Sequence, residues 1–509
     1  MITKQYFINP DTRIPFYNNA DYCIGTGRMG LALQKEYLEQ LKLVQEKIGF
    51  KYIRGHGLFA EDMAIYQEYE ENGVKKAEYN FTYLDMVMDN YLEIGIRPFL
   101  ELGFMPAKMA SGEQTVFYWK GNVTPPRDYE AWADMVCAVL NHLIMRYGAD
   151  EVTGWPIEVW NEPNFPGFWK DADMNEYFRM FEKTFHAIKS IDKRIRVGGP
   201  AICGIDYEHW MNEFLLFCKT KNILLDFVTR HHYVSDPPES DGHYMYVALM
   251  KPEHSMEPLH ITRQIVDSFD EFRGLEIHIT EFSTSYVPRA PIHDTNYNAA
   301  YIAYMLSKMG EMNESYSYWT FGDVFEEWGV PFTPFHGGFG LTANGCIPKP
   351  TFWTFQFFKQ LQGECVHKED NSVVVKAENG KYIGTAWNFG EEEMKICYSL
   401  EGADGVYCLV KKTVDEECCN PLKLWHNMGE PSSLSKGQTR TLREASNPLI
   451  MSEQLNAEDN ILRVQICLQK YALIYFEIYP VHPVSDRGYS YERAITPVIS
   501  QSFGSDAIS

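Results

Sequence analysis

The sequence predicts an α/β protein, a (β/α)8 TIM barrel with an additional C-terminal β-sandwich-type domain. Before residue 364, eight short apolar runs alternate with helical runs, and βα units in this number close into a barrel. After residue 364, short β-branched runs are separated by turns at fairly regular spacing, which is typical of a β-sandwich. We therefore expect an N-terminal extension over 1–20, packed on the β-rich domain, a catalytic barrel over 21–363, a β-sandwich accessory domain over 364–484 and a C-terminal tail over 485–509.

The length of the chain agrees with this division. At 509 residues it exceeds one ordinary domain, and a barrel absorbs ~250 residues or more by itself. Apolar residues make up 45% of the chain and aromatic residues 15%, which is enough material for the cores of two or three units.

The first barrel strand is predicted at the short run around Cys23, and a glycine-rich segment follows it. Residues 25–30 (Gly-Thr-Gly-Arg-Met-Gly) match the G-x-G-x-x-G pattern of dinucleotide-binding loops. The preceding strand is very short, however, and no acidic residue ends a second strand about twenty positions later, where Ile48-Gly49-Phe50 stands. We interpret the segment as a loop at the rim of the barrel, which disfavours an oxidoreductase.

The other elements of the barrel follow from hydrophobic periodicity. After Leu31, apolar residues such as Tyr37, Leu41 and Val44 recur at helical spacing and predict a helix that packs on a sheet. Helical runs are predicted at 31–48, 83–94, 129–147, 175–191, 210–220, 261–272, 297–310 and 350–361. The remaining seven strands are predicted at 50–57, 97–103, 155–163, 195–200, 227–233, 275–282 and 316–321.

Two glutamates stand at the ends of predicted strands. Glu162 precedes Pro163, which has no N–H group for a sheet and ends the fourth strand. Glu281 ends the seventh strand. One such glutamate alone would be interpreted as a helix cap, but the carboxyl ends of all barrel strands meet at one catalytic rim. Two carboxylates on this rim are the groups needed to cleave a glycosidic bond, one as acid and one facing the oxocarbenium-like carbon.

Further polar and aromatic residues at or just beyond strand ends predict a sugar-binding pocket. Each of them alone is more often structural than functional, but together they form a polar pocket with an aromatic wall. The candidates for substrate binding are His56, Asn161, His231, Tyr233, Trp319, Glu326 and Glu327. Asn161 adjoins the proposed acid, where it is placed to hydrogen-bond a sugar 2-hydroxyl.

Composition and missing motifs exclude several other functions. The net charge of −23 argues against nucleic acid and an anionic membrane surface as partners, whereas a small neutral oligosaccharide is compatible with it. We expect no metal, because His231 and His232 are adjacent and would diverge on a strand, and neither an H-E-x-x-H motif nor thiolate spacing occurs. The sequence has no G-x-S-x-G elbow and no P-loop, and no cofactor is expected.

The sequence also favours a soluble protein of a reducing compartment. No stretch approaches about 18 uninterrupted apolar residues, and the first six residues lack the apolar core of a signal peptide. The eleven cysteines are an odd number without a C-x-x-C pair, so we expect free thiols and a cytoplasmic location. A homo-oligomer is left open.

Six motifs are specific enough to indicate a family. They are Gly25-Thr26-Gly27-Arg28, Arg54-Gly55-His56-Gly57, Trp160-Asn161-Glu162-Pro163, His278-Ile279-Thr280-Glu281, Tyr318-Trp319-Thr320-Phe321 and Phe335-His336-Gly337-Gly338-Phe339-Gly340-Leu341. Through them the chain closely resembles the β-xylosidases of glycoside hydrolase family 39, from about residue 22 to at least residue 451. The resemblance implies an exo-acting, retaining barrel enzyme that releases xylose from the non-reducing ends of β-1,4-xylo-oligosaccharides by double displacement, a step in xylan degradation.

The resemblance also implies roles for single residues. Glu162 would be the general acid/base and Glu281 the nucleophile. The residues that would bind xylose are His56, His231 and Tyr233, with Trp319 as the stacking ring and Glu326 or Glu327 as a distal carboxylate.

Two departures from the family pattern alter residues that shape the pocket and leave both carboxylates in place. The segment after Glu281 is Phe-Ser-Thr-Ser-Tyr where family members often have [YF]-N-T-S-Y, and the R-H-A-Y type stretch is Arg230-His231-His232-Tyr233. The nearest alternative is therefore another glycosidase on the same scaffold, α-L-iduronidase-like or an arabinosidase. A uronide would need a cation such as Arg54 or Arg230 facing its carboxylate. A non-catalytic carbohydrate-binding barrel is disfavoured, because both glutamates are retained together with Asn161.

Overall fold

The computed structural model of the protein describes residues 1–482 and 488–496. Eight parallel strands form a closed barrel in which neighbours in sequence are neighbours in space, and Tyr318 of the last strand pairs with Ile24 of the first. The strands are β1 (Cys23–Thr26), β2 (Tyr52–Gly55), β3 (Arg97–Leu102), β4 (Ile157–Val159), β5 (Val197–Ile202), β6 (Phe227–Tyr233), β7 (Ile277–Ser283) and β8 (Ser315–Tyr318). The predicted (β/α)8 barrel is confirmed.

A helix follows each strand of the barrel. These helices are α1 (Lys35–Lys47), α2 (Thr82–Ile94), α3 (Tyr129–Tyr147), α4 (Met174–Ile191), α5 (Tyr207–Thr220), α6 (Glu257–Ser268), α7 (Asn296–Met309) and α8 (Pro350–Gln360). Every residue of β5 and β7 is buried, because helices cover the outer face of the strands and side chains fill the interior of the barrel. The helices carry matching apolar faces, as in α4, where Tyr177, Phe181 and Ile188 are buried.

Local sequence sets the ends of the helices. The side chain of Asp128 caps α3 by accepting hydrogen bonds from the backbone N–H groups of Glu130 and Ala131. Helix α6 differs from the predicted range 261–272, because it begins at Glu257 and ends at Ser268. Its first turn contains Pro258, and a proline is favoured there because the first turn has no partner for a backbone N–H group.

The residues after α8 and the N-terminal strand Ile2–Ile8 form two further sheets, which we call the β-rich region. Its strands after the barrel are β9 (Glu364–Glu369), β10 (Ser372–Lys376), β11 (Tyr382–Trp387), β12 (Met394–Glu401), β13 (Val406–Val414), β14 (Leu449–Asn456), β15 (Ile461–Leu468) and β16 (Leu473–Pro480). Six of these strands form an antiparallel sheet in the order β9-β10-β11-β16-β13-β14. The second sheet consists of the N-terminal strand, β12 and β15, with β12 in the middle.

The N-terminal strand runs parallel to β12, with Ile2 opposite Met394. Side chains that include Ile396, Val464 and Phe476 form a hydrophobic core of the β-rich region that is separate from the core of the barrel. The first residues of the chain are thus part of the same structural unit as residues that follow the barrel.

Two helices of the β-rich region are not predicted by the sequence pattern. Helices α9 (Pro421–Asn427) and α10 (Lys436–Ala445) lie between β13 and β14. Their buried residues Trp425 and Leu442 belong to one hydrophobic cluster with Phe335, which follows β8. The β-rich region therefore packs on a loop at the carboxyl end of the barrel strands.

Three further features bear on the sequence-based expectations. Among the described residues, no helix has the length and apolar character needed to span a bilayer. All eleven cysteines are free. The predicted tail at 485–509 lies mostly outside the described residues, and its described part contains a short helix, α11 (Tyr491–Ile495).

Candidate active site

Glu162 lies in a tight turn directly after β4. Trp160 and Glu162 have left-handed backbone conformations, with φ of 75° and 45°, which residues other than glycine rarely adopt. The backbone N–H of Glu162 donates to the carbonyl of Ala201 in β5, 2.9 Å away, and this bond holds the turn against the next strand. Strained backbone of this kind is concentrated at functional sites. The turn leaves Glu162 only 9% exposed.

Glu281 lies within β7, and donors from two other strands hold its carboxylate. Nη1 of Arg54 in β2 is 2.5 Å from Oε1 of Glu281, and the hydroxyl of Tyr233 in β6 donates to Oε2 over 2.6 Å. Each oxygen of the carboxylate therefore accepts a hydrogen bond, and one of the two donors is a cation, which makes that bond strong.

The two glutamates face each other across the mouth of the barrel. An oxygen of Glu162, an oxygen of Glu281 and a ring nitrogen of His231 all lie within 4.8 Å of one another. Nδ1 of His231 is 2.7 Å from Oε1 of Glu162 and 3.5 Å from Oε2 of Glu281. Carboxyl groups roughly 5–5.5 Å apart are typical of retaining glycosidases, whereas inverting enzymes hold them roughly 6.5–9.5 Å apart. Oxygens within 4.8 Å of each other agree with the shorter, retaining spacing.

The surroundings of the two carboxyls separate their protonation states. Desolvation and then the nearby charge of Glu281 hold the pKa of Glu162 well above its ordinary value. Desolvation also raises the pKa of Glu281, but Arg54, His56 and the hydroxyl of Tyr233 oppose it. Glu281 is therefore the better-stabilised anion, and Glu162 is the carboxyl that holds a proton.

The two histidines at the site are neutral at physiological pH. Burial lowers the pKa of His56 to about 3 and holds the pKa of His231 well below its ordinary value. Nδ1 of His56 lies 2.6 Å from Oε2 of Glu101, just as Nδ1 of His231 faces Glu162. Each imidazole can therefore take part in hydrogen bonding without adding charge to the site.

Arg54 connects the polar groups beneath the site and has no exposed surface. Its Nε donates to Oε2 of Glu158 over 2.9 Å, and its Nη2 donates to Oδ1 of Asn161 over 2.9 Å. Nη2 also lies 2.9 Å from Oε2 of Glu101, in addition to the contact of Nη1 with Glu281. A buried guanidinium is tolerated only when it is paired, and this one is shared by three carboxyl groups.

Most of this network is not predicted by the sequence pattern. Arg54 is a sequence-based candidate only as a cation for a uronide, and Glu101 and Glu158 are not among the predicted site residues. The signal that could have found them is a charged residue inside an otherwise apolar strand, as in Phe-Leu-Glu101-Leu and Ile-Glu158-Val. Burial raises the pKa of Glu101 to about 8, which favours its protonated form at neutral pH.

Trp319 follows β8, and its ring packs against groups of the site. The centroid of its ring lies 4.8 Å from that of His56 and 6.0 Å from that of Phe325, and the guanidinium of Arg54 is 5.7 Å away. The close packing requires a glycine in β1, because a Cβ atom at Gly25 would lie 2.4 Å from Cε3 of Trp319.

The structure distinguishes the two adjacent glutamates after β8. An oxygen of Glu327 lies 3.7 Å from Nε2 of His56, and burial together with the neighbouring carboxylates holds the pKa of Glu327 well above its ordinary value. Glu326 instead forms an ion pair with Nη2 of Arg28, 2.9 Å away. Of the two predicted candidates, Glu327 therefore belongs to the pocket, and Glu326 is paired with Arg28.

The loops that follow β3 and β8 meet beside the pocket. The backbone N–H of Tyr118 donates to the carbonyl of Glu327 over 2.7 Å, and the ring centroid of Phe117 lies 5.8 Å from that of His56. The loops after β3 and β8 are thus held together on this side of the site.

Known proteins resemble the chain over nearly its whole length. The family described as Glycosyl hydrolases family 39 matches residues 9–459. A β-xylosidase of Geobacillus stearothermophilus is 46% identical over 474 residues, which are 92% of this chain and 94% of that protein. A β-xylosidase of Caldicellulosiruptor saccharolyticus is 35% identical over 438 residues, 83% of this chain and 87% of that protein. Among solved structures, a monomeric β-xylosidase from Caulobacter crescentus CB15 has a TM-score of 0.86 at 30% identity and covers 94% of this chain and 100% of its own.

Proposed function

Because the chain belongs to glycosyl hydrolases family 39, we propose that it is a retaining, exo-acting β-D-xylosidase that releases xylose from the non-reducing ends of β-1,4-xylo-oligosaccharides. The observation that carries the reaction type is the spacing of Glu162 and Glu281, which have carboxyl oxygens within 4.8 Å of each other. The choice of xylose rests on the relatives named β-xylosidases, which are 46% and 35% identical to this chain.

In the first step Glu281 is the nucleophile and Glu162 is the acid. An oxygen of Glu281 forms a bond to the anomeric carbon while the bond from that carbon to the leaving oxygen breaks. The proton of Glu162 goes to the leaving oxygen, and the shortened oligosaccharide departs. The xylose unit remains as an ester of Glu281 with inverted anomeric configuration.

In the second step Glu162 is the base. Formation of the ester removes the charge of Glu281, which had helped to keep the pKa of Glu162 high. Glu162 can therefore stay ionised until it accepts a proton from water, whose oxygen attacks the anomeric carbon and displaces Glu281. The second inversion restores the original configuration of the sugar, and each cycle consumes one water molecule.

The remaining residues of the site bind the sugar in this proposal. Arg54 holds Asn161 through Oδ1, which leaves the Nδ2 group to bind the 2-hydroxyl of the reacting sugar. Trp319 offers an aromatic face to the ring. The other groups that offer hydrogen bonds are His56, His231, Tyr233 and Glu327.

The arrangement of the arginines disfavours an α-L-iduronidase-like activity. Arg54 is surrounded by carboxyl groups, so its charge is already compensated. Nη1 of Arg230 donates to the carbonyl of Pro258, and its guanidinium lies 4.2 Å from the ring of Tyr207 in α5. Neither arginine is free to face the carboxylate of a uronide. A purely carbohydrate-binding barrel would not need one protonated and one ionised carboxyl at catalytic spacing. An arabinosidase is distinguished from a xylosidase by comparing the hydrolysis of an α-arabinoside with that of a β-xyloside.

We also propose that the protein acts on fragments of xylan in the cytoplasm. The support for this location is that all eleven cysteines are free, as expected in a reducing compartment.

The test is to compare hydrolysis of nitrophenyl β-xyloside, α-arabinoside, β-glucoside and α-iduronide by the purified protein, and to record the anomer of the first-formed sugar by NMR. We expect the highest kcat/KM with the β-xyloside, and β-xylose as the first product. A higher kcat/KM with another glycoside would overturn the proposed substrate, and α-xylose as the first product would overturn the retaining mechanism.

A further inference from the structure

Glu158 lies beneath the site and contacts groups on both sides of Glu281. It is in β4, and it has no exposed surface. Its Oε2 accepts a hydrogen bond from Nε of Arg54 over 2.9 Å and lies 2.7 Å from Nη2 of the same residue. Its Oε1 accepts a hydrogen bond from the hydroxyl of Thr280 over 2.8 Å. One carboxylate therefore binds the cation that faces Glu281 and also the residue that precedes Glu281 in the chain.

We propose that Glu158 is a positioning residue: by binding Arg54 and Thr280 together, it fixes the direction of the Glu281 carboxylate and the positive charge that this carboxylate experiences. The inference rests on the proposed function, because it takes Glu281 as the nucleophile. Glu158 touches no substrate in this scheme and acts only through its two partners.

The direction of the carboxylate follows from the planar shape of the guanidinium. When Glu158 binds Nε and Nη2 of Arg54, the plane of the group is fixed, and Nη1 must point towards Glu281, where it is found at 2.5 Å. The bond from Thr280 fixes β7 immediately before Glu281. Glu158 in β4 thus holds Glu281 at two places, at its backbone through Thr280 and at its carboxylate through Arg54. A misplacement of about 1 Å can cost on the order of 10²-fold in rate.

Three carboxyl groups share the positive charge of Arg54. Arg54 contacts Glu101, Glu158 and Glu281, so the negative charge of Glu158 compensates part of the positive charge that stabilises Glu281. Without the charge of Glu158, this compensation is lost, and the full positive charge of Arg54 lowers the pKa of Glu281. The ionised form of Glu281 then persists to a lower pH. The titratable or charged groups that face Glu281 itself are Arg54, His56, Glu101, Glu162, His231, Tyr233 and Glu327.

The decisive variant is Glu158→Gln, which keeps the shape of the side chain and removes its charge. The acid limb of kcat/KM for nitrophenyl β-xyloside reports the ionisation of the nucleophile in the free enzyme. We expect this limb to move to lower pH by about one unit. We also expect kcat per active site to fall by about 10²-fold. Active sites are counted with a 2-deoxy-2-fluoro-xyloside, which leaves a stable ester on the nucleophile, so unfolded protein does not enter the comparison.

Two conservative changes separate the effect of Glu158 on the direction of the Glu281 carboxylate from its effect on the charge that this carboxylate experiences. Glu158→Asp keeps the charge but shortens the reach, so kcat should fall while the acid limb stays at its wild-type pH. Thr280→Val removes only the hydroxyl and should lower kcat per active site by about 10-fold without moving the limb. Thr280→Ser should restore kcat. The matched control is Thr354→Val in α8, where another buried threonine donates to the carbonyl of Ala299, and it should leave both quantities unchanged.

A wild-type acid limb together with a wild-type kcat per active site in Glu158→Gln would overturn the proposal. If that variant does not fold, the threonine variants decide: equal kcat values for Thr280→Val and Thr280→Ser would overturn it, and a loss only in Thr280→Val would support it. A wild-type protein that does not hydrolyse β-xylosides would instead refute the proposed function.

Discussion

Nδ1 of His231 lies 2.7 Å from Oε1 of Glu162, and the buried, neutral imidazole donates to this carboxyl group in the tautomer that carries its hydrogen on Nδ1. A carboxyl oxygen that accepts such a bond is not the one that carries the acidic proton. In that tautomer His231 assigns the proton of Glu162 to Oε2, which gives the acid a defined donor atom.

Replacement of His231 by Phe should raise the pKa of Glu162. A donor to a carboxyl group favours its ionised form, so removal of the donor favours the protonated form. The basic limb of kcat/KM, which marks loss of the acidic proton, should therefore move to higher pH. The pH profile with nitrophenyl β-xyloside measures this shift. His232→Phe is the control, because His232 is the next residue in the chain, is also buried, and has the backbone of Ser255 as its hydrogen-bonding partner. A basic limb that stays at its wild-type pH in His231→Phe would contradict the assignment of the proton.

The variant Glu281→Ala should lose turnover but remain folded, because the buried Arg54 keeps its contacts with Glu101 and Glu158. Azide or formate should restore part of the activity by occupying the space of the carboxylate, and azide should yield the xylosyl azide of inverted configuration. Product analysis by NMR checks this outcome. Glu276→Ala, immediately before the same strand, should retain activity. Full activity in Glu281→Ala would rule the residue out as nucleophile.

The variant Glu162→Ala should affect substrates according to their leaving groups. Acidic phenols leave largely unaided, so an aryl xyloside should still form the ester, which then breaks down slowly because the base is missing. Xylobiose has a poor leaving group and should lose about 10²–10⁴-fold in kcat/KM. Azide needs no base and should rescue the aryl substrate as the β-xylosyl azide. Equal losses on both substrates without rescue would mean that Glu162 only positions the sugar.

A buried ion cluster near the rim predicts a pH-dependent loss of stability. Nζ of Lys349 lies 2.6 Å from a carboxylate oxygen of Asp294 and 2.6 Å from one of Asp323. Lys349→Met should cost about 3–5 kcal/mol of unfolding free energy, because two buried carboxylates lose their cation. Burial already raises the pKa of both aspartates, so protonation at low pH removes the unpaired charges. The loss should thus be larger at pH 8 than at pH 5 in urea unfolding.

The matched control for this measurement is Lys359→Met. Lys359 pairs with Asp21, but its side chain is 34% exposed, so its removal should cost about 1 kcal/mol or less. Similar losses in the two lysine variants, or a loss in Lys349→Met that grows at low pH, would contradict the ion-cluster interpretation.

The thiol content of the protein follows from the free cysteines. Titration of the denatured, unreduced protein should give eleven thiols, because every cysteine is free in the structure. Several intact disulfides in the purified protein would contradict the proposed cytoplasmic location.

The sequence predicts the barrel and the two glutamates because both leave local signals. Periodicity marks the strands and helices, and Pro163 marks the place where Glu162 leaves its strand. The partners of Arg54 leave no such signal, because Glu101, Glu158 and Glu281 come from three other strands and meet only when the barrel closes. Whether Arg54 is free or paired therefore could not be read from the neighbourhood of the residue.

The helices of the β-rich region were missed for a similar reason. Trp425 of α9 and Leu442 of α10 are apolar, but the surface they cover includes Phe335, which belongs to a distant loop. The choice between Glu326 and Glu327 also depends on a distant residue, because Arg28 binds the first of them. The sequence pattern therefore indicates Glu326 and Glu327 together but does not show which of the two lies beside His56.

The N-terminal strand has a consequence for how the protein can be made. Ile2–Ile8 is synthesised long before its partner β12, which begins at Met394, and β15 on the other side of β12 ends at Leu468. Every strand of the barrel has left the ribosome before this small sheet can form, so the strand must wait without a partner while the barrel assembles. Pairing across so large a sequence separation is slow. A chain truncated after the barrel would keep Glu162 and Glu281 and yet expose an unpaired strand, which is a site for aggregation.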